Sequence, residues 1–531
     1  MALPSQKMRG FFSAEIRFPV FVLFEIDRNI CPCYNCINNV CVQHRQEDKM
    51  SDLKAKSLHM GPAQCAVDLG DGSERGEYVD QDYILQKLGR PHRAISLMYC
   101  YYPNDEGWPG RASVVHADPS IQFQWDFPYD DYFTYKGGLG GTLDDEPFTY
   151  MRDVRRHGQD VLLTLTIDPK VTDEHLVAIA KDLRTFGRVQ LRINHEATGD
   201  WFSFNKRASY EEVAAFFAHA SEVIHREAPN VKTIICLDGC SSLDDEKMGM
   251  EDTFAVAARA ADIVSVDRYM SLHWGWPYDV AEDGGETFTD YKVEDIYALT
   301  KKSCERYTVV NHGVQKPMVI SEFNADGDVN GPYKQADMLK EFCEMIKADK
   351  EKWLSGFTLY QFRDRGRLGL EIEDPNNANV GIEQPLLETY REIIHEDFFS
   401  PSMETGDEVA FPAKLRWGGS EDADGVAVDL HLESNPVFCE AYFEEDTIDM
   451  NLMLELNGHW FYKAPGVKCI DMMSAFFKKP LEGAADMTLK IFAPPASGEN
   501  DPSQGEDWQT NYYTELKGLP VIRIRYRAIV K

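Results

Sequence analysis

The chain runs to 531 residues, too long for one ordinary domain, and carries a formal net charge of −33. Such acidity argues against nucleic acid or an anionic membrane face as partner, because phosphate binding needs a basic footprint. With 43% hydrophobic and 12% aromatic residues the chain has ample material for a packed core, which argues against global disorder.

Residues 1–60 read as a poorly structured N-terminal extension. Its apolar run, Phe18 to Phe24, is preceded by Glu15 and Arg17 and followed at once by Glu25. That is at the bottom of the range for a signal peptide, and no small-residue cleavage site follows. No stretch of the chain approaches the length that spans a bilayer. Four of the twelve cysteines, Cys31, Cys33, Cys36 and Cys41, crowd into CPCYNCINNVC. C-x-C-x2-C-x4-C is not a familiar zinc spacing and no second knuckle follows, so no metal is expected here. The remaining cysteines are scattered singly, as small buried hydrophobes are. This leans towards a reducing compartment, cytoplasmic rather than secreted.

From 61 to 400 short apolar runs alternate with longer amphipathic ones. The candidate strands are Gln64–Leu69, Ala94–Tyr101, Asp160–Ile167, Val189–Ile193, Lys232–Leu237, Asp262–Asp267, Met318–Ser321 and Gly356–Tyr360. Their near-continuous apolar character suits strands buried on both faces, as in a parallel barrel. Helices fit between them: 79–89, 146–157, Asp173–Phe186, a helix opened by a Ser209–Glu212 capping box, 250–260, 292–306, 334–348 and 383–395. Eight βα units within this length predict a (β/α)8 TIM barrel of the α/β class. An open doubly wound sheet is the alternative, but no Gly-rich phosphate turn follows any strand. Pro103 to Asp145 reads as an extended loop on the strand-end face.

After residue 400 the rhythm switches to period two, in GVAVDLHLES, MNLMLELNGHWFYK, MTLKIFAP and VIRIRYRAIV. Residues 401–531 therefore predict an antiparallel β-sandwich, expected to pack against the barrel rather than to bind carbohydrate.

In a barrel, catalytic groups stand at the C-terminal ends of the strands. Those ends supply Asp71, Asp168, Asn194-His195-Glu196, Asp238, Asp267 with Tyr269, Glu322, and Gln361 to Arg363. Any single carboxylate there is ordinary, but a pair on strands 4 and 7 converges across the barrel mouth. Glycoside cleavage needs such a pair, one carboxyl protonated for the leaving oxygen and one ionised to attack the anomeric carbon. Glu196 and Glu322 meet that need. The segment RINHEATGDWF, with Arg192, His195, Glu196, Gly199, Trp201 and Phe202 in register, resembles the acid/base segment of glycoside hydrolase family 26. VISEFNADG resembles the same family's seventh strand and VSVDRY its sixth. The resemblance covers most of residues 64–396. It implies Glu196 as acid/base, Glu322 as nucleophile and Tyr269 as support for the nucleophile.

The chain departs from that family's pattern at Ile193, where Pro is usual, at Asp168, near a usual His, and at Gln361-Phe362, where a Trp often floors the sugar site. Expected substrate-binding residues are His195, Tyr269, Trp201, Trp274, Arg192, Asp168 and Gln361, with Trp108, Trp125 and Trp276 further candidates in the loops. The substrate implied is a β-linked polysaccharide or oligosaccharide of mannan, xylan or glucan type, and no cofactor is needed. The rival reading is a carbohydrate-binding barrel that has lost catalysis, which would be expected to lack one glutamate of the pair. Metal-dependent hydrolysis on this fold needs His ligands at several strand ends, and only His195 qualifies.

Overall fold

In the computed structural model, backbone is described for residues 48–50, 53–72, 78–105, 133–199, 202–272, 292–364, 366–496 and 510–526. All of these belong to one compact unit spanning 48–527. Eight parallel strands close on themselves: β1 (Ala66–Gly70), β2 (Ala94–Tyr101), β3 (Asp160–Ile167), β4 (Val189–Ile193), β5 (Val231–Cys236), β6 (Ile263–Tyr269), β7 (Met318–Asn324) and β8 (Gly356–Leu359). Closure comes from β1 pairing with β8 on one side, Ala66 to Leu69 opposite Gly356 to Leu359, and with β2 on the other. Every residue of β1, β2, β3, β7 and β8 is buried, because the barrel interior covers one face and the helices the other. This is why the strands read as continuous apolar runs.

The helices lie between the strands where periodicity places them. Val213, Phe216, Phe217, Ala220 and Ile224 form the buried stripe of Tyr210–Glu227, whose N-terminus carries the Ser209–Glu212 capping box. Beyond β8 a small sheet (Arg363–Asp364, Glu371–Asp374, Asn377–Glu383) follows at the C-terminal end of the strands and is tied at its base by Arg363 to Glu371 at 2.8 Å.

β7 runs three residues past the expected stop at Ser321, and its register against β6 shifts between Ile320 and Glu322. Such a bulge re-aims side chains. Here it lets two consecutive residues, Ser321 and Glu322, both reach groups at the barrel mouth.

The C-terminal sheets are antiparallel, as the period-two pattern predicts. The larger is ordered Ser402–Val409, Ala55–Gly61, Asp422–Leu432, Ala485–Phe492, Leu452–Leu456, His459–Lys463, with Ala413–Gly419 and Tyr512–Leu516 attached. The smaller holds Asp48–Met50, Val521–Tyr526, Pro436–Tyr442 and Cys469–Asp471. Val426, Val428 and Leu430 of one sheet share a core with Ala441, Ile522 and Ile524 of the other. One boundary moves. Residues 55–60, grouped on sequence with an unstructured extension, form most of a central strand of the larger sheet, between Ser402–Val409 and Asp422–Leu432. Ala55, Leu58 and Met60 are buried there, while Lys56 and His59 pair with Asp429 and Asp424.

The sandwich docks on residues that precede β2, β3 and β4, which is the end of the barrel opposite the mouth. Gly89 accepts from the Trp460 backbone at 2.8 Å, Arg188 bonds Asp422 at 2.9 Å, and the His157 ring lies 3.9 Å from that of Tyr462.

Candidate active site

Glu322 leaves the β7 bulge into the barrel mouth and is 9% exposed. Its Oε1 accepts from Arg192 Nη2 at 2.8 Å and its Oε2 from the Tyr269 hydroxyl at 3.0 Å. Arg192, on β4, is fully buried and spans the barrel: Nε donates to Thr164 Oγ1 of β3 at 2.7 Å, and Nη1 to Asp267 Oδ1 of β6 at 3.2 Å. Asp267 also accepts from Ser321 Oγ at 2.7 Å. The alternation of β6 explains the arrangement, since Ser265, Asp267 and Tyr269 share one strand face.

Glu196 follows β4 in a tight turn closed by Gly199 N–H to Glu196 C=O at 2.9 Å. Asn194 and Glu196 both have φ of 48°, in the left-handed region. Carboxylate oxygens of Glu196, Asp267 and Glu322 all lie within 4.8 Å of one another. Three carboxylates so close repel, and Arg192 supplies the compensating positive charge. Burial, and then the nearby Asp267, push the Glu322 carboxyl above the ordinary carboxylate range, while Arg192 and Tyr269 pull against them. Burial disfavours a charged Arg192, but Asp267 and Glu322 override it and hold the guanidinium protonated.

The expected residues fall into three groups. Arg192, Glu196, Tyr269 and Glu322 are brought together, and Gln361 lines a cleft beside them with Asp71, Ser96, Met98, Arg192 and Tyr360. The Tyr269 and Tyr360 rings meet edge to face at 5.9 Å, and the Tyr360–Gln361 peptide is cis. His195 is buried, 4.6 Å from the Phe202 ring, and burial together with Arg192 holds its pKa well below the usual value, so it is neutral. Asp168 is engaged otherwise: Arg207 bonds its Oδ2 at 3.0 Å and the Lys170 amide its Oδ1 at 2.9 Å. Trp201 and Trp274, like Trp108, Trp125 and Trp276, lie outside the described residues. Asp267 was legible only as one strand-end carboxylate among several. The signal that marks it is its place two residues before Tyr269 on an inward strand face.

No protein-family model and no curated protein sequence matches the chain. Among solved structures it is similar to a GH26 beta-mannanase from Bacteroides ovatus, at 10% identity over 63% of this chain and 90% of that one, TM-score 0.37. It is also similar to a GH51 arabinofuranosidase from Xanthomonas axonopodis pv. citri, at 12% identity over 89% of this chain and 100% of that one, TM-score 0.39. A third is the GH53 catalytic domain of Ignisphaera aggregans, at 13% identity over 64% and 99%, TM-score 0.37. These neighbours are glycoside hydrolases of several families. At such identities and scores they bear on neither substrate nor mechanism.

Proposed function

We propose that this chain is a retaining β-glycoside hydrolase acting on a β-linked polysaccharide or oligosaccharide by two-carboxylate double displacement. Glu322 is the nucleophile and Glu196 the acid/base. The observation that carries this reading is the approach of their carboxylates, with oxygens within 4.8 Å. Retaining pairs stand about 5–5.5 Å apart, whereas inverting pairs leave about 6.5–9.5 Å for a water.

In the first step Glu196 gives its proton to the leaving oxygen as Glu322 attacks the anomeric carbon. In the second a water attacks that carbon, Glu196 takes the water's proton, and Glu322 is released. Arg192 and Tyr269 pull Glu322 towards its ionised form and aim it. His195, Asp168, Gln361, Trp201 and Trp274 complete the sugar-binding set, on a mannan-, xylan- or glucan-type chain.

The test separates the two glutamates. Glu322→Ala should abolish turnover of every substrate, because no glycosyl-enzyme forms. Glu196→Ala should fail on polysaccharide yet still glycosylate from an activated aryl β-glycoside, and azide, which needs no deprotonation, should restore turnover with a retained glycosyl azide. Azide rescue of Glu322→Ala with inverted product, and none of Glu196→Ala, would reverse the roles.

A further inference from the structure

Asp267 has no step in the double displacement, yet a carboxylate oxygen of it lies within 4.8 Å of both glutamates. Its carboxylate is fixed from two sides, by Ser321 at 2.7 Å and Arg192 at 3.2 Å, and its side chain is 5% exposed. Arg192 donates through separate nitrogens, Nη1 to Asp267 and Nη2 to Glu322, so one guanidinium serves two carboxylates. The other titratable groups around Asp267 are Glu196 at the end of β4, Cys236 and Asp238 of β5 and its loop, Arg268 on its own strand, and Tyr307 from helix Val293–Val310. Cys236 and Tyr307 are held neutral by burial. Asp238 and Arg268 act on Asp267 with opposite sign, and on each other.

Counting charge then decides the matter. With Glu322 free, the set Arg192, Asp267 and Glu322 presents one net negative charge to Glu196. Once Glu322 is esterified to the sugar, the set is neutral. Without Asp267 the set would go from neutral to positive, and no net negative charge in it would favour the protonated form of Glu196 in either state. Resting on the retaining reading above, we propose that Asp267 is a positioning residue that works through Arg192, keeping the proton on Glu196 in the free enzyme, up to the step in which that proton passes to the leaving oxygen. The proton balance is then complete: Glu196 loses its proton to the leaving oxygen, faces a neutral set while water is deprotonated, and is recharged when Glu322 is released.

The test is Asp267→Asn in the full chain, assayed with 4-nitrophenyl and phenyl β-mannosides, β-xylosides and β-glucosides. Two charges at this distance in a partly shielded site interact strongly enough to move the basic limb of kcat/KM to lower pH by about one to two units. At pH 7 the phenyl glycoside, whose leaving group needs the proton, should lose about tenfold or more, and the 4-nitrophenyl glycoside far less. Asp267→Glu, which keeps the charge, should return the limb to its wild-type position even at reduced kcat. A basic limb that stays put or moves up, or equal losses on both substrates, would overturn the proposal. A second measurement needs neither a folded variant nor turnover. In wild-type protein with ¹³C-labelled carboxyls, the Asp267 signal should remain that of a carboxylate throughout the pH range in which Glu196 titrates. An Asp267 that is protonated there overturns the charge assignment outright. Absence of wild-type turnover on any glycoside would instead count against the retaining reading, with the carboxyl titration still deciding the electrostatic claim.

Discussion

Arg192→Met tests whether one buried guanidinium holds the site together. Arg192 is fully buried and makes charge-assisted hydrogen bonds to Asp267 and Glu322 besides its bond to Thr164. Methionine fills much of the stem's volume but leaves two close carboxylates with no cation between them. Breaking a buried ion pair by removing one partner costs about 3–5 kcal/mol. Part of that is recovered if a carboxyl takes up a proton, so a net destabilisation of about 3 kcal/mol is expected. Glu322 is the group that protonates, because burial and Asp267 already push it up and Arg192 is the main force opposing them. The acid limb of kcat/KM on an activated aryl glycoside should therefore rise by about two pH units, with about a hundredfold loss at pH 5–6 that shrinks as pH increases. Urea unfolding followed by tryptophan fluorescence gives the first quantity and the pH–rate profile the second. A variant within about 1 kcal/mol of wild type whose acid limb has not moved would refute both steps.

His157, at the barrel–sandwich contact, bonds Asp153 C=O at 2.7 Å and Asp82 Oδ1 at 2.9 Å. Burial disfavours its charge, yet the hydrogen bonds to Asp153 and Asp82 raise its pKa from 6.5 to about 9. That stabilisation is complete below pH 6.5 and is lost as pH rises through 9, so unfolding free energy should fall by up to about 3 kcal/mol across this window, and His157→Gln should flatten the fall. Exposure of Asp82 makes that figure an upper bound. The strand Ala55–Gly61 predicts a sharp limit for N-terminal truncation. Protein beginning at residue 48 should keep its thermal midpoint, whereas protein beginning at 62 should be insoluble or lose the sandwich transition; equal behaviour of the two would contradict the sheet order.

Most of the barrel was readable because its chemistry is uniform. Ala94–Tyr101, Asp160–Ile167 and Val189–Ile193 are bounded as the apolar runs predict, since strands covered on both faces stay largely apolar along their length. Ala55–Gly61 was not readable. AKSLHMG puts Lys56 on the face of Leu58 and Met60 and His59 on the face of Ala55, which blurs the period-two alternation, and its partners Ser402–Val409 and Asp422–Leu432 lie far along the chain, so no local pattern announces the pairing. β7 was cut short because SEFN turns polar at Ser321, where the structure spends polarity on the site itself: Ser321 on Asp267, Glu322 on Arg192, and Asn324 on the carbonyl of Tyr360. Asp168 reads from sequence as a strand-end carboxylate like any other, and its pairing with Arg207 is visible only in the structure.

The end of β4 shows where local rules give way and why. Asn194 and Glu196 both adopt φ of 48°, and a left-handed conformation costs a residue with a β-carbon roughly 1–2 kcal/mol. Asparagine tolerates it best, and Asn194 is also clamped: its side-chain oxygen accepts from the Ile167 amide at 2.6 Å and its amide donates to the Ile167 carbonyl at 3.2 Å. That clamp ties the end of β4 to the end of β3 and prevents the turn from relaxing. Glu196 has no such chemical excuse, because glutamate is not favoured there. The Ala197 amide, bonded to Cys236 C=O at 3.2 Å, and the Gly199 amide, on its own carbonyl, hold it in place from the other side. A regular strand continuing from Ile193 would keep residue 196 on the face of Arg192 but carry it about 13 Å beyond Arg192 along the strand. The two left-handed residues break that extended course, and the chain turns so that a Glu196 carboxylate oxygen comes within 4.8 Å of Glu322 and Asp267. The strain is thus stored where a carboxyl must be delivered to a place that regular strand geometry does not serve.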